Sequence, residues 1–150
     1  MFLPFLLNEI IVRITADCPI IDPRIIDKCI KLHLNKKSDY TSNTLKLTFP
    51  DGLDVELIDL NTLIKSQKIS KSKSNKEHVT FFVKKSKLFK KNNYVNNINY
   101  SNRRWTLDNL EDFLFLKKIV KYFLPNMYFS WKDIIKAEKK NKSLINTKER

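Results

Sequence analysis

Residues Arg13 to Pro23 read RITADCPIIDP, and this stretch decides how the rest of the chain is read. It joins an apolar, β-branched run (Ile10 to Thr15), which reads as a buried strand, to Asp17, Cys18 and Pro19. Asp22 and Pro23 follow and open a helix. An aspartate accepts from the free N–H groups at a helix start, and proline suits the first helical position, where no N–H is needed. Ile25, Ile26, Cys29, Ile30 and Leu32 recur at helical spacing, so the helix is expected to reach about Leu34 and to pack on a sheet. Asp17, between strand and helix, is either a loop cap or a ligand.

Outward from this stretch, strands and helices alternate. DYTSNTL (Asp39 to Leu45) reads as a short strand and loop. Pro50-Asp51-Gly52 is turn chemistry, after which Leu53, Val55 and Leu57 alternate as in a strand. Leu60 to Lys68 reads as a helix, Lys68 to Lys76 as a polar loop, and Glu77 to Ser86 as a second helix. RWTLD (Arg104 to Asp108) reads as a strand ending on a carboxylate, followed by an amphipathic helix closed by Pro125. Ser130 caps a last helix, WKDIIKAEKK, which leads into a polar tail over 141–150 expected to fray. The expected fold is an α/β layered sandwich. In open α/β sheets ligands sit at the carboxyl ends of strands, and two expected strands end on aspartates, Asp17 and Asp108. Carboxylates delivered there suit Mg²⁺, which takes one or two from the protein and fills its octahedron with water and phosphate oxygens. The competing reading is that both are helix or loop caps.

Composition narrows the function. At 150 residues, 42% hydrophobic and 30% charged, the chain is one globular domain and not a disordered segment. It has one glycine, Gly52, where average usage gives about ten. A glycine-rich phosphate cradle therefore has no place in these residues. Cys18 and Cys29 have neither zinc-site nor disulfide-framework spacing, which suits a reducing cytoplasm. The opening MFLPFLLNEIIV is too short and too interrupted for a transmembrane span or signal peptide. The net charge of +13 is uneven, with residues 1–60 at −2 and residues 61–150 at +15. An anionic partner is one reading and a lysine-rich surface the other. Nucleic acid is disfavoured, because no basic–aromatic alternation and no known DNA- or RNA-binding motif accompanies the charge.

Four blocks together resemble the spore coat polysaccharide biosynthesis protein F family, relatives of the acylneuraminate cytidylyltransferases. They are VRITADCPIIDP, SNTLKLTFPDGLDVE, KEHVTFF and RRWTLDNLEDF, in the family's order, and the likeness spans roughly residues 10–135. The resemblance implies a three-layer α/β/α nucleotidyltransferase fold. It also implies a reaction joining CTP to an acidic sugar with release of pyrophosphate, in surface polysaccharide biosynthesis. Asp17 and Asp108 match the family's metal-binding carboxylates, implying Mg²⁺. Asn43, Asp51, Asp54 and Glu56 lie in the block that resembles the sugar-side loop and strand; Glu77 and His78 lie in KEHVTFF. Arg104 is placed to meet phosphate or a sugar carboxylate.

The sequence also departs from the family. No glycine-containing basic loop of the type GSxRLPGK occurs, Phe81 stands where proline is usual, and Arg103 where an apolar residue is usual. The isolated chain, residues 1–140 of which read as a partial nucleotidyltransferase domain, is therefore expected to be inactive. It is expected to need a complementing N-terminal chain or to form a homo-oligomer. Ile10 to Thr15, central in the family fold, is expected to present an open edge. A non-catalytic remnant or interaction module is the alternative.

Overall fold

The computed structural model describes residues 9–69 and 80–147. The elements are β1 (Ile10–Arg13), α1 (Pro23–Lys36), β2 (Tyr40–Ser42), β3 (Glu56–Asp59), α2 (Leu60–Ile69), α3 (Phe81–Lys85), β4 (Lys91–Asn93), α4 (Leu110–Phe123) and α5 (Trp131–Lys140). A single 3-10 turn, Lys142–Leu144, follows α5. The strands form one mixed sheet in the order β1-β3-β2-β4. β3 pairs antiparallel with β1 and β2, while β2 pairs parallel with β4.

Consecutive residues of β3 are buried on opposite faces, which is why this strand carries an unbroken buried run, Glu56, Leu57 and Ile58. Leu57 belongs to a core with Ile25 and Cys29 of α1, Ile119 of α4 and Ile134 of α5. Ile58 belongs to a second core with Tyr40, Val83 and Phe89, against which Leu63 of α2 packs. Helices thus cover both sides of the sheet, the expected α/β layering. α1 is also tied to the sheet by His33, which is buried with Nδ1 3.0 Å from Thr41 Oγ1 and Nε2 2.9 Å from Asp59 Oδ1.

Both expected caps are present. Asp22 Oδ1 accepts from the Arg24 N–H at 2.8 Å, with Pro23 at the first helical position. Ser130 and Asp133 form a reciprocal capping box at the start of α5. α1 runs two residues past Leu34 and closes on Lys37 in the left-handed conformation, φ 47°.

The structure corrects four expectations. RWTLD is not a strand: its N–H groups go to separate loops, Arg104 to Asn146, Trp105 to Asp51 and Leu107 to Asp17, so no ladder forms beyond one bridge between Arg104 and Asp51. The strand expected from Leu53 begins only at Glu56, because Asn43 takes up the backbone before it. The tail does not fray straight after Asn141, since Leu144 is fully buried in the core and the Asn146 carbonyl accepts from Arg104. The helix expected over Glu77 to Ser86 is described only from residue 80, and there it is the short α3. The polar loop expected after Lys68 and the residues Glu77 and His78 otherwise fall outside the described residues.

β1 is the edge of the sheet among the described residues. The run expected to be a buried strand from Ile10 to Thr15 is shorter and less buried: β1 ends at Arg13, and Val12 and Ile14 are 39% and 40% exposed.

Candidate functional site

The segment 103–107 crosses the turn Pro50–Gly52 at close range. Asp51 N–H donates to the Arg103 carbonyl at 2.8 Å and Trp105 N–H donates to the Asp51 carbonyl at 2.7 Å. Gly52 makes this approach possible. Its φ is 98°, and a Cβ there would lie 2.6 Å from the backbone carbonyl atoms of Trp105. The one glycine of the chain therefore serves backbone contact.

This crossing sets Arg104 among three carboxylates. Its Nη1 donates to Asp51 Oδ2 at 3.2 Å, and its Nη2 pairs with Asp108 and with Asp112 Oδ2, the latter at 3.4 Å. Burial alone would lower the Arg104 pKa, but hydrogen bonds and charge from Asp108 and Asp112 raise it overall, so the guanidinium stays charged. Asn109, not Asp108, caps α4: its Oδ1 accepts from the Asp112 N–H at 3.0 Å. The Asp108 side chain is half-exposed. Asp112, buried on the first turn of α4, was not singled out from sequence, although its i, i+4 spacing from Asp108 places it within reach of the same partner.

Asp17 joins the cluster through the backbone, since the Leu107 N–H donates to its carbonyl at 2.9 Å. The two aspartates proposed as ligands are thus carried by adjoining backbone segments. Neighbouring Cys18 is buried, its Sγ 3.6 Å from Asp17 Oδ1 and 3.3 Å from Thr15 Oγ1. Burial raises the Cys18 pKa, helped a little by the charges of Asp17 and Asp54, against the hydrogen bonds of Thr15 and the Asp54 backbone.

The remaining sugar-side candidates do not converge here. Asn43 is buried and clamps the chain entering β3, donating to the Leu53 carbonyl at 2.7 Å and accepting from the Val55 N–H at 2.9 Å. Glu56 is the hub of a separate network. It accepts from Arg13 at 2.6 Å, Tyr40 at 2.8 Å and Thr80 at 3.1 Å, and pairs with Lys84. The sequence did not expose this network, because its members come from β1, β2, β3 and the start of α3. The one hint was Arg13, a lone charge in an apolar run.

Carboxylate oxygens such as those of Asp17 and Asp108 suit a hard cation such as Mg²⁺; here the Asp17 carboxylate lies 3.6 Å from the Cys18 thiol and the Asp108 carboxylate pairs with Arg104. Among the described residues no group of three or more His, Cys, Asp or Glu side chains is placed to hold a metal.

A family model described as cytidylyltransferase matches residues 1–148. The structure superposes on a cytidylyltransferase from Leptospira borgpetersenii with a TM-score of 0.86 and 35% identity, over 94% of this chain and 60% of that one. An uncharacterized protein of Methanocaldococcus jannaschii, MJ1063, is 31% identical over 122 residues, 79% of this chain and 49% of that protein. The spore coat polysaccharide biosynthesis protein SpsF of Bacillus subtilis is 34% identical over 77 residues, 51% of this chain and 31% of that protein. The chain spans at most about half the length of these two curated relatives. Its α/β fold is nucleotidyltransferase-like, and the chain belongs to the cytidylyltransferase family.

Proposed function

We propose that this chain serves the transfer of a cytidylyl group from CTP to an acidic sugar destined for a surface polysaccharide, in the cytoplasm. In that reaction a sugar hydroxyl oxygen bonds to the α-phosphorus, the bond to the bridging oxygen of pyrophosphate breaks, and the hydroxyl gives up its proton. The observation that supports this reading is the 2.9 Å backbone hydrogen bond from Leu107, the neighbour of Asp108, to the Asp17 carbonyl, which sets the two family-matched segments side by side. Asp17 and Asp108 would hold Mg²⁺, whose charge offsets that on the phosphates when it is bound. Arg104 fixes Asp51 and Asp108 and so orients the phosphate side. Asp54 belongs to the sugar-side block in this reading. With one glycine in 150 residues, gripping the triphosphate falls to a segment outside this sequence, in the same protein or in a second chain.

The test is pyrophosphate release from CTP, Mg²⁺ and a panel of nonulosonic acids. It is run with the protein alone and with the unmatched portion of the Leptospira cytidylyltransferase added. Release is expected in the complemented mixture and not from the chain alone. It should disappear with Asp17→Ala plus Asp108→Ala. Failure of every combination would favour the non-catalytic reading.

A further inference from the structure

Away from the Arg104 cluster, two cavities of about 350 and 330 Å³ meet on either side of Trp131, at the start of α5. Asn96, Trp131, Lys132 and Lys136 line both. Tyr100 and Lys139 extend one, and Tyr94 and Lys28 the other. We propose that the two form a single groove that binds an acidic oligosaccharide. The groove shares no lining residue with the Arg104 cluster, and the inference does not rest on the transferase reading.

The charge in this groove is turned outward. Lys132, Lys136 and Lys139 follow an i, i+4, i+7 spacing on α5, so they form a row roughly 10 Å long. Among the described residues Lys28, Lys132 and Lys139 form no ion pair, while Lys136 has an exposed partner in Asp133 at 3.3 Å. The one carboxylate in the lining, Asp22, is buried. It is engaged by the N–H groups of Arg24 at 2.8 Å and Trp131 at 3.0 Å, as well as by the Arg24 guanidinium. The rim therefore offers ammonium groups to an anion while the local acid is held internally.

The floor selects among anions. Trp131 is only 6% exposed, with Phe49 and Tyr100 packed against it in T-shaped pairs and Lys132 above its ring. Tyr94 stacks on Phe49. Trp131, the aromatic residue common to both cavities, offers no open face as a platform for a nucleobase, the feature that single-stranded nucleic acid needs. An apolar floor, amides from Asn96 and Asn97, and a row of ammonium groups instead suit a ligand with C–H surface, hydroxyls and carboxylates. A chain of uronic-acid-type sugars presents all three.

The experiment titrates the 150-residue protein with tetragalacturonate, maltotetraose, tripolyphosphate and a thymidine tetranucleotide, by calorimetry at about 0.15 M ionic strength. Tetragalacturonate is expected to bind more tightly than the other three. The double variant Lys132→Glu, Lys139→Glu is expected to weaken it by about ten-fold or more with an unchanged melt. Should that variant misfold, Lys132→Gln with Lys139→Gln gives the same reading at lower amplitude. Absence of binding, equal binding of tripolyphosphate or the tetranucleotide, equal binding of the neutral maltotetraose, or full affinity in a folded double variant would each overturn the proposal.

Discussion

Arg104 reaches from the segment before α4 to Asp51 in the Pro50–Gly52 turn, 3.2 Å away, and the same guanidinium also holds Asp108 and Asp112. One cation thus serves three carboxylates at a junction of two loops and a helix. Replacing it by methionine keeps the stem and removes the charge. Since Asp51 and Asp112 are buried, Arg104→Met is expected to lower stability by about 2–3 kcal/mol in urea unfolding. Arg104→Lys should recover only part, because an ammonium cannot reproduce the planar fork. A loss below about 0.5 kcal/mol in Arg104→Met would show that the junction is held by the backbone alone.

Gly52 should tolerate no side chain. Its φ of 98° and a would-be Cβ contact of 2.6 Å with Trp105 backbone act together. Gly52→Ala is expected to cost on the order of 2–3 kcal/mol and to shift Asp51 away from Arg104. The check is thermal unfolding together with the amide chemical shifts of Asp51 and Trp105.

Glu56 should make stability depend on acid pH. Burial pushes its carboxyl up, but the hydrogen bond and charge of Lys84, helped by Tyr40 and Arg13, more than reverse this and hold it below the ordinary 4.5. A group lowered on folding contributes stability above its unfolded value and loses it as pH falls through the folded one. The wild-type protein is therefore expected to lose stability between about pH 5 and pH 2 more steeply than Glu56→Gln. Parallel pH profiles for the two proteins would remove Glu56 from the account.

The open edge of β1 should drive association. Val12 and Ile14 are 39% and 40% exposed beside an edge that no described strand covers. At tens of micromolar, about the range where exposed edges aggregate, the protein is expected to elute larger than a monomer. Val12→Lys and Ile14→Lys should shift it towards monomer. A wild-type monomer with a cooperative melt would show that the edge is covered.

What the sequence alone determined is local. Asp22-Pro23 and Ser130 were legible as helix starts because a cap depends on residues two or three positions apart, and the structure adds Asp133 as the reciprocal partner of Ser130. The helices α4 and α5 followed from their apolar spacing, and the family followed from four ordered blocks. What only the tertiary structure decided is non-local. RWTLD has the composition of a strand, but its N–H groups meet Asn146, Asp51 and Asp17, three loops far apart in sequence. Leu144 sits in a polar tail, yet fills a core built by α4 and α5. Asn43 and Glu56 read as sugar-facing polar residues, but each is taken by partners whose proximity no spacing encodes. Backbone and side-chain hydrogen bonds are satisfied wherever folding brings a partner, and that choice is made by the packing of the whole sheet rather than by the segment itself.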